Sequence, residues 1–293
     1  MNNTEIINKI LFSKTAAELF EDLSDWKKTY RLYSKIHPDI CKEPKAQEAF
    51  VKLNEFKTEL EKGKTHNDDA GTVTYSLYTI EIIGDADLLK SSFENYNKLM
   101  ALTDESSKHF KKYIPTSGRM ISDNELEWTI DYRAMPLSSI GDQPHLHVNW
   151  ITSRMLEFAS WLSQVGYCHA GINPDSIYII PENHGMMCIS FYHMVAMGTK
   201  LRSASGKYSN LYPHKIFDHK KATSNIDIEL AKRTAIYLLG DKSATGNKLR
   251  KTHNEEIIDF LQKTDYDGLE TYKEYRSILK KHFDTKQFNK LII

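Results

Sequence analysis

The sequence predicts an α+β protein in two parts: a small all-α segment, then a larger mixed segment that ends almost wholly helical. Three observations carry this. There is no glycine before Gly63, and apolar residues there recur at helical spacing. Residues 72–83 then switch to a β-branched and aromatic run, Thr72-Val73-Thr74-Tyr75 through Ile80-Glu81-Ile82-Ile83. After about residue 225 the helical pattern returns and persists.

In the first segment, residues 26–36 read as a basic helix. Lys27, Arg31 and Lys35 recur every four residues on one face, Lys28 flanks them, and no acid interrupts. Leu32, Tyr33 and Ile36 are its expected apolar side. A second helix follows, with Ala46, Ala49, Phe50, Leu53, Phe56 and Leu60 at the spacing of a buried face. Two antiparallel helices with facing apolar stripes zip together and expose the loop that joins them. That loop begins His37-Pro38-Asp39, and proline restricts both its own backbone and that of the residue before it. Residues 65–71 are polar and bracketed by Gly63 and Gly71, which marks a linker between domains at 1–64 and 72–293.

In the second segment the expected elements are one or two strands over 72–83, a helix over 87–102 and a strand over 125–132. An amphipathic helix over 149–166 presents Ile151, Met155, Phe158, Ala159 and Leu162 on one face. A hairpin at 177–180 and 186–190 turns at Pro181-Glu182-Asn183-His184-Gly185.

Composition excludes several classes. Lys+Arg and Asp+Glu are 39 each, so no globally basic nucleic-acid binder is indicated. Cys41, Cys168 and Cys188 are too dispersed for a disulfide framework or a metal knuckle, which fits free thiols in a reducing cytoplasm. No secretory signal is visible, and no apolar run approaches a membrane span. His145-Leu146-His147 lacks further ligands at metal-site spacing, and no HExxH, GxSxG or Walker A motif occurs. No metal or cofactor is expected.

The basic helix, the HPD tripeptide and the AxxAFxxLxxF helix together resemble a J-domain, the module with which DnaJ-type co-chaperones engage DnaK-type chaperones. The resemblance covers residues 5–62. It implies that His37, Pro38 and Asp39 trigger the chaperone's ATPase and that Lys27, Lys28, Arg31 and Lys35 dock electrostatically. Ile36 departs from it, standing where an aromatic is common, and no fourth helix is evident.

A second motif, His169-Ala170-Gly171-Ile172-Asn173-Pro174-Asp175-Ser176 before the strand at 177–180, resembles a protein-kinase catalytic loop. The resemblance implies a kinase-like scaffold stripped of its chemistry. A kinase needs a carboxylate base, a lysine beside the transferring phosphate and metal ligands. Gly171 stands in the place of the base, Asn173 of the lysine, Ser176 of the amide ligand and Ser190 of the DFG aspartate. Tyr212-Pro213-His214-Lys215 has a lysine where an acid is usual. His169 and Asp227 match positions that brace the loop. No G-x-G-x-x-G is present, Thr79 or Glu81 falls where the phosphate-pairing lysine belongs, and Glu94 reads as a surface residue. Too few residues lie between Gly71 and Asp87 for three strands and a glycine-rich loop, so a truncated N-lobe is expected. The whole arrangement resembles a bacterial class that joins a J-domain to a degenerate kinase-like domain, with a C-terminal run like 282–288. It implies a non-enzymatic co-chaperone adaptor that recruits a DnaK-type chaperone to a protein client. Two alternatives stay open. One is an atypical nucleotide-dependent transferase using Asp175 or Glu182; the other is a docking subunit of a larger assembly, viral or phage included.

Overall fold

A computed structural model of the chain describes residues 1–14, 16–20, 26–181, 183–213, 215–283 and 291. Glu182, His214 and most of the run 282–288 lie outside these. The chain divides into two compact units, one of residues 1–65 and 74–77, the other of residues 66–73 and 78–293.

The first unit is helical. Its helices are α1 (Asn3–Phe12), α2 (Ala16–Phe20), α3 (Trp26–Tyr33), continued by a 3-10 turn at Ser34–Ile36, and α4 (Ala46–Lys62). A capping box starts α1: Asn2 Oδ1 accepts the Glu5 amide and Glu5 Oε2 accepts the Asn2 amide, both at 2.8 Å. Ile6, Ile10, Leu19, Tyr33, Ile36, Ala49 and Leu53 form the centre of one apolar cluster. The apolar face read for α4 is the buried one, with Phe50 half-buried at its edge. The expected inner side of α3 is corrected at Leu32, which is 56% exposed. At 100° per residue, Leu32 turns away from the Trp26–Tyr33 face, and Tyr30 takes its place: its hydroxyl donates to Asn54 Oδ1 at 2.8 Å and ties α3 to α4.

Next in the chain comes a five-stranded sheet. Its strands are β1 (Lys64–Asn67), β2 (Gly71–Tyr75), β3 (Thr79–Gly84), β4 (Ser117–Ser122) and β5 (Glu125–Thr129), in the order β1-β2-β3-β5-β4. Two expectations are corrected here. The polar run 65–71 is not a linker but most of β1 and a tight turn. Between Gly71 and Asp87 there are two strands, β2 and β3, and β1 adds a third from before Gly71. The turn after β1 is only three residues long. The edge strand β4 carries no apolar alternation and was not foreseen. Gly118 on β4 pairs with Trp128, where a Cβ would meet the indole at 2.2 Å, so only glycine lets the ring lie across the strand.

Between β3 and β4 run α5 (Ala86–Met100), capped by Asp85, and α6 (Glu105–Phe110), capped by Asp104. Beyond the sheet come β6 (Met135–Pro136), α7 (His145–Gln164), β7 (Tyr167–Cys168), β8 (Ile177–Ile180), β9 (Gly185–Cys188) and β10 (Val195–Ala196). The chain continues as α8 (Lys215–His219), α9 (Ser224–Leu238), α10 (Glu255–Gln262) and α11 (Gly268–His282). Strands β6, β8 and β9 form a small sheet, and β7 pairs with β10. Helix α7 starts four residues earlier than expected and is buried on more than its Ile151–Leu162 face, because α9 and α11 both pack on it. No described helix is long and apolar enough to cross a membrane.

One buried ion pair fastens the helical part. The Lys232 side chain is fully buried, donates to Lys263 O at 2.9 Å and to Asp265, and lies 4.2 Å from the Phe260 ring centroid. Removing Asp265 strands a fully buried ammonium, whereas removing Lys232 leaves a carboxylate that is 13% exposed and lies 3.2 Å from Lys263 Nζ. Asp265→Ala is expected to cost about 3–5 kcal/mol in urea unfolding, and Lys232→Met less than half of that. Equal losses would show that packing, not charge, is what the pair supplies.

Candidate functional site

Each unit brings its sequence-predicted residues together. In the first, Lys27, Lys28, Arg31 and Lys35 are all exposed along α3 and the 3-10 turn. Their spacing places Lys27, Arg31 and Lys35 on one face, as expected for a helix. His37 ends the turn. Its amide bonds Ser34 O at 3.0 Å, and its carbonyl accepts the amides of Ile40 at 2.9 Å and Cys41 at 2.8 Å. The imidazole packs edge-on against Phe50 of α4, centroids 4.5 Å apart, and Nδ1 accepts the Asp39 amide at 3.2 Å. The His37 side chain is 40% exposed and that of Asp39 is 87% exposed. Helix packing, the local turn and Pro38 thus hold an imidazole edge and, 3.4 Å from its Nδ1, an exposed carboxylate at the end of a helical hairpin.

In the second unit the loop that starts at His169 is held from α9. Asp227, in the first turn of α9, accepts the amide of His169 at 2.7 Å on Oδ2 and that of Ala170 at 2.8 Å on Oδ1. Burial pushes its carboxyl up to about 6, against these two hydrogen bonds. Ala170 sits at φ 55°, a left-handed conformation costly for any residue with a Cβ. The Tyr212 hydroxyl adds a bond to Ala170 O at 2.6 Å. His169 is fully buried, which lowers its pKa to about 3; its Nδ1 accepts the Gly171 amide and its Nε2 lies 2.9 Å from Cys188 Sγ.

The positions singled out in sequence as replaced, Gly171, Asn173, Ser176 and Ser190, are turned inward. A Cβ on Gly171 would meet His193 Cδ2 at 2.8 Å, so no side chain fits there without moving the imidazole. Asn173 spends its amide within the loop, donating to Gly171 O and accepting the amides of Asp175 and Ser176. Ser176 Oγ exchanges bonds with the Asn173 backbone. Ser190 Oγ donates to Asp68 Oδ2 at 3.2 Å. Asp175 Oδ2 accepts Lys207 Nζ at 2.5 Å, and its Oδ1 lies 3.7 Å from His66 Nδ1. Glu94 is exposed, as expected.

Sequence reasoning missed the groups that organise this centre. Ser92 and Asn95 of α5 bond the Phe191 amide and the carbonyls of Phe191 and Met194. Asp68 and Asp69, read as linker, reach side chains of the stretch 190–205. Asp68 Oδ2 accepts the Tyr192 hydroxyl at 2.7 Å; burial raises its pKa. Asp69 accepts the Ser205 hydroxyl at 2.8 Å and lies 3.3 Å from His193 Nε2. Burial also pushes the Asp69 carboxyl up, but these partners outweigh it and hold it below the usual range. The Asp-Asp pair was a visible signal; its partners, far along the chain, were not. Among the described residues no group of three or more histidine, cysteine or acidic side chains is placed to hold a metal ion.

No protein-family model matches the chain, and no curated protein matches it. Among solved structures, that of vaccinia related kinase 3 is similar at a TM-score of 0.49 and 10% identity, over 75% of this chain and 91% of that one.

Proposed function

We propose that the chain is a co-chaperone adaptor. Its first unit is a J-domain that engages a DnaK-type chaperone and stimulates ATP hydrolysis; its second is a kinase-like unit that binds a protein client without transferring phosphate. The observation that carries the reading is the HPD loop: His37 seated on Phe50, Asp39 standing in solvent, and the cationic face of α3 leading up to them. A turn serving only to join two helices has no need of a fixed imidazole and an exposed carboxylate beside an exposed basic stripe. The second half of the reading is supported by Gly171, Asn173, Ser176 and Ser190, whose space or hydrogen bonds are taken up inside the chain. The three cysteines are free and buried, which suits a reducing cytoplasm, where such chaperones work.

The test is single-turnover ATP hydrolysis by a DnaK-type chaperone with and without the full chain. Electrostatic docking makes the effect salt-sensitive. Reversing Lys27, Arg31 and Lys35 to glutamate together is expected to slow association about tenfold at low salt and to flatten the salt dependence. Stimulation that survives the triple reversal with its salt dependence unchanged would remove the basic face from the reading.

A further inference from the structure

Beyond β10, residues 199–202 and 220–222 run beside each other as a short antiparallel ribbon, in which an isolated bridge sets Lys200 directly opposite Lys221. The flanking bonds run from the Leu201 amide to Lys220 O at 2.7 Å and from the Ala222 amide to Thr199 O at 2.8 Å. This is the pattern of a non-hydrogen-bonded pair, the kind in which facing side chains start closest together. Both lysines are exposed, and like charges directly opposite each other are unfavourable. Arg202 lies two residues past Lys200 and is exposed, while Leu201 between them is 8% exposed, so Arg202 falls on the same side of the ribbon as Lys200. Lys220, exposed too, sits at φ 48°, a left-handed conformation that side chains disfavour. Among the described residues, none of these four cations has an ion pair or a side-chain hydrogen bond. Lys207, by contrast, is paired with Asp175. In a chain whose charges balance at 39 each, residues 200–221 hold six lysines and arginines and one acid, Asp218.

We propose that this ribbon is where the second unit takes hold of its protein client, and that it recognises an acidic segment, a run of aspartate and glutamate. The inference rests on the adaptor reading for the partner being a client; the binding itself is tested apart from that reading. A carboxylate seated between Lys200 and Lys221 accepts from both ammonium groups and turns an unfavourable pair into a bridged one. Arg202 offers its planar fork to a second carboxylate on the same side. Lys220 adds charge where the backbone is already strained, a cost that local stability does not repay. The ribbon suits a peptide better than a nucleic acid. Among the described side chains of 199–222, no phenylalanine, tyrosine or tryptophan is exposed to stack on a base.

The test is binding of a fluorescent oligoglutamate peptide to the full chain, with no chaperone present, read by fluorescence anisotropy. Binding is expected at low salt and to weaken as salt rises. The double variant Lys200→Gln/Lys221→Gln is expected to weaken it about tenfold while melting with wild type or above it. Lys221→Glu is expected to lose at least about tenfold and yet to melt about 2 °C higher, because a like-charged pair becomes an opposite one. Reversing Lys27, Arg31 and Lys35 on α3 is expected to leave the ribbon's share of the binding, and its loss in the double variant, in place. The proposal is overturned if wild type does not bind the peptide or if the ribbon variants bind it as tightly as wild type. It is also overturned if a single-stranded oligonucleotide of similar length binds more tightly than the peptide and is lost in the same variants. Each of these outcomes leaves chaperone stimulation, read in its own assay, to stand or fall with His37→Gln.

Discussion

His37→Gln is expected to return a stimulated DnaK-type ATPase to its basal rate while leaving the helical hairpin intact. Two properties of the site separate these effects. The side chain is 40% exposed and outside the apolar cluster, so the stability change is expected to stay near about 0.5 kcal/mol. Its geometry, however, is specific. Nδ1 accepts the Asp39 amide while the ring packs on Phe50, so the imidazole is held in a fixed orientation. Glutamine can mimic one ring nitrogen but not the flat ring that seats it. Asp39→Asn is the companion: it removes an exposed charge and keeps the shape. Circular dichroism and thermal melting establish that the variants fold, and single-turnover hydrolysis reads the effect. A His37→Gln protein that stimulates as well as wild type would sink the J-domain reading outright.

The parts of the molecule that were legible in sequence are those fixed by near neighbours. Helix α4 and its buried face follow from spacing alone, and the HPD loop is bounded by its own proline and by two amphipathic helices. Leu32 failed because α3 is short and its stripe had to be guessed from three residues. The loop at 169–176 is mixed: bonds between residues two or three apart shape it, and Asp227 and Tyr212 hold it from far along the chain. The turn at 68–71 was not legible. Two aspartates between glycines ordinarily mark solvated chain, and nothing nearby announces that their partners lie 122, 124 and 136 residues away. The same holds for Ser92 and Asn95, polar residues inside a helix whose purpose appears only when the Phe191–Met194 backbone is set beside them. Strand β4 escaped because an exposed edge strand has no apolar alternation to display.

Asp227→Ala is expected to be among the most destabilising single changes in the second unit. The carboxylate is the acceptor for two backbone amides, both on a segment with no regular structure to satisfy them otherwise. Each orphaned donor costs about 1–3 kcal/mol, and the left-handed Ala170 loses one of its two restraints, so a total of about 2–6 kcal/mol is expected. That is a large share of the stability of an ordinary domain, about 5–15 kcal/mol. Asp227→Asn keeps the shape but offers an amide where one acceptor stood, and should fall between. The two variants also separate charge from hydrogen bonding through pH. Burial raises the carboxyl from 3.8 to about 6, so between these values the folded state binds the proton more tightly than the unfolded chain does. The stability contributed by this group is thus greatest below about pH 4 and declines as pH rises to about 6, by about 3 kcal/mol at most. Asparagine does not titrate. The gap between wild type and Asp227→Asn in urea unfolding should therefore be widest near pH 4 and narrow by pH 7. A gap that is constant, or that widens with pH, would mean that the two amide bonds outweigh burial and that Asp227 carries its charge at little cost.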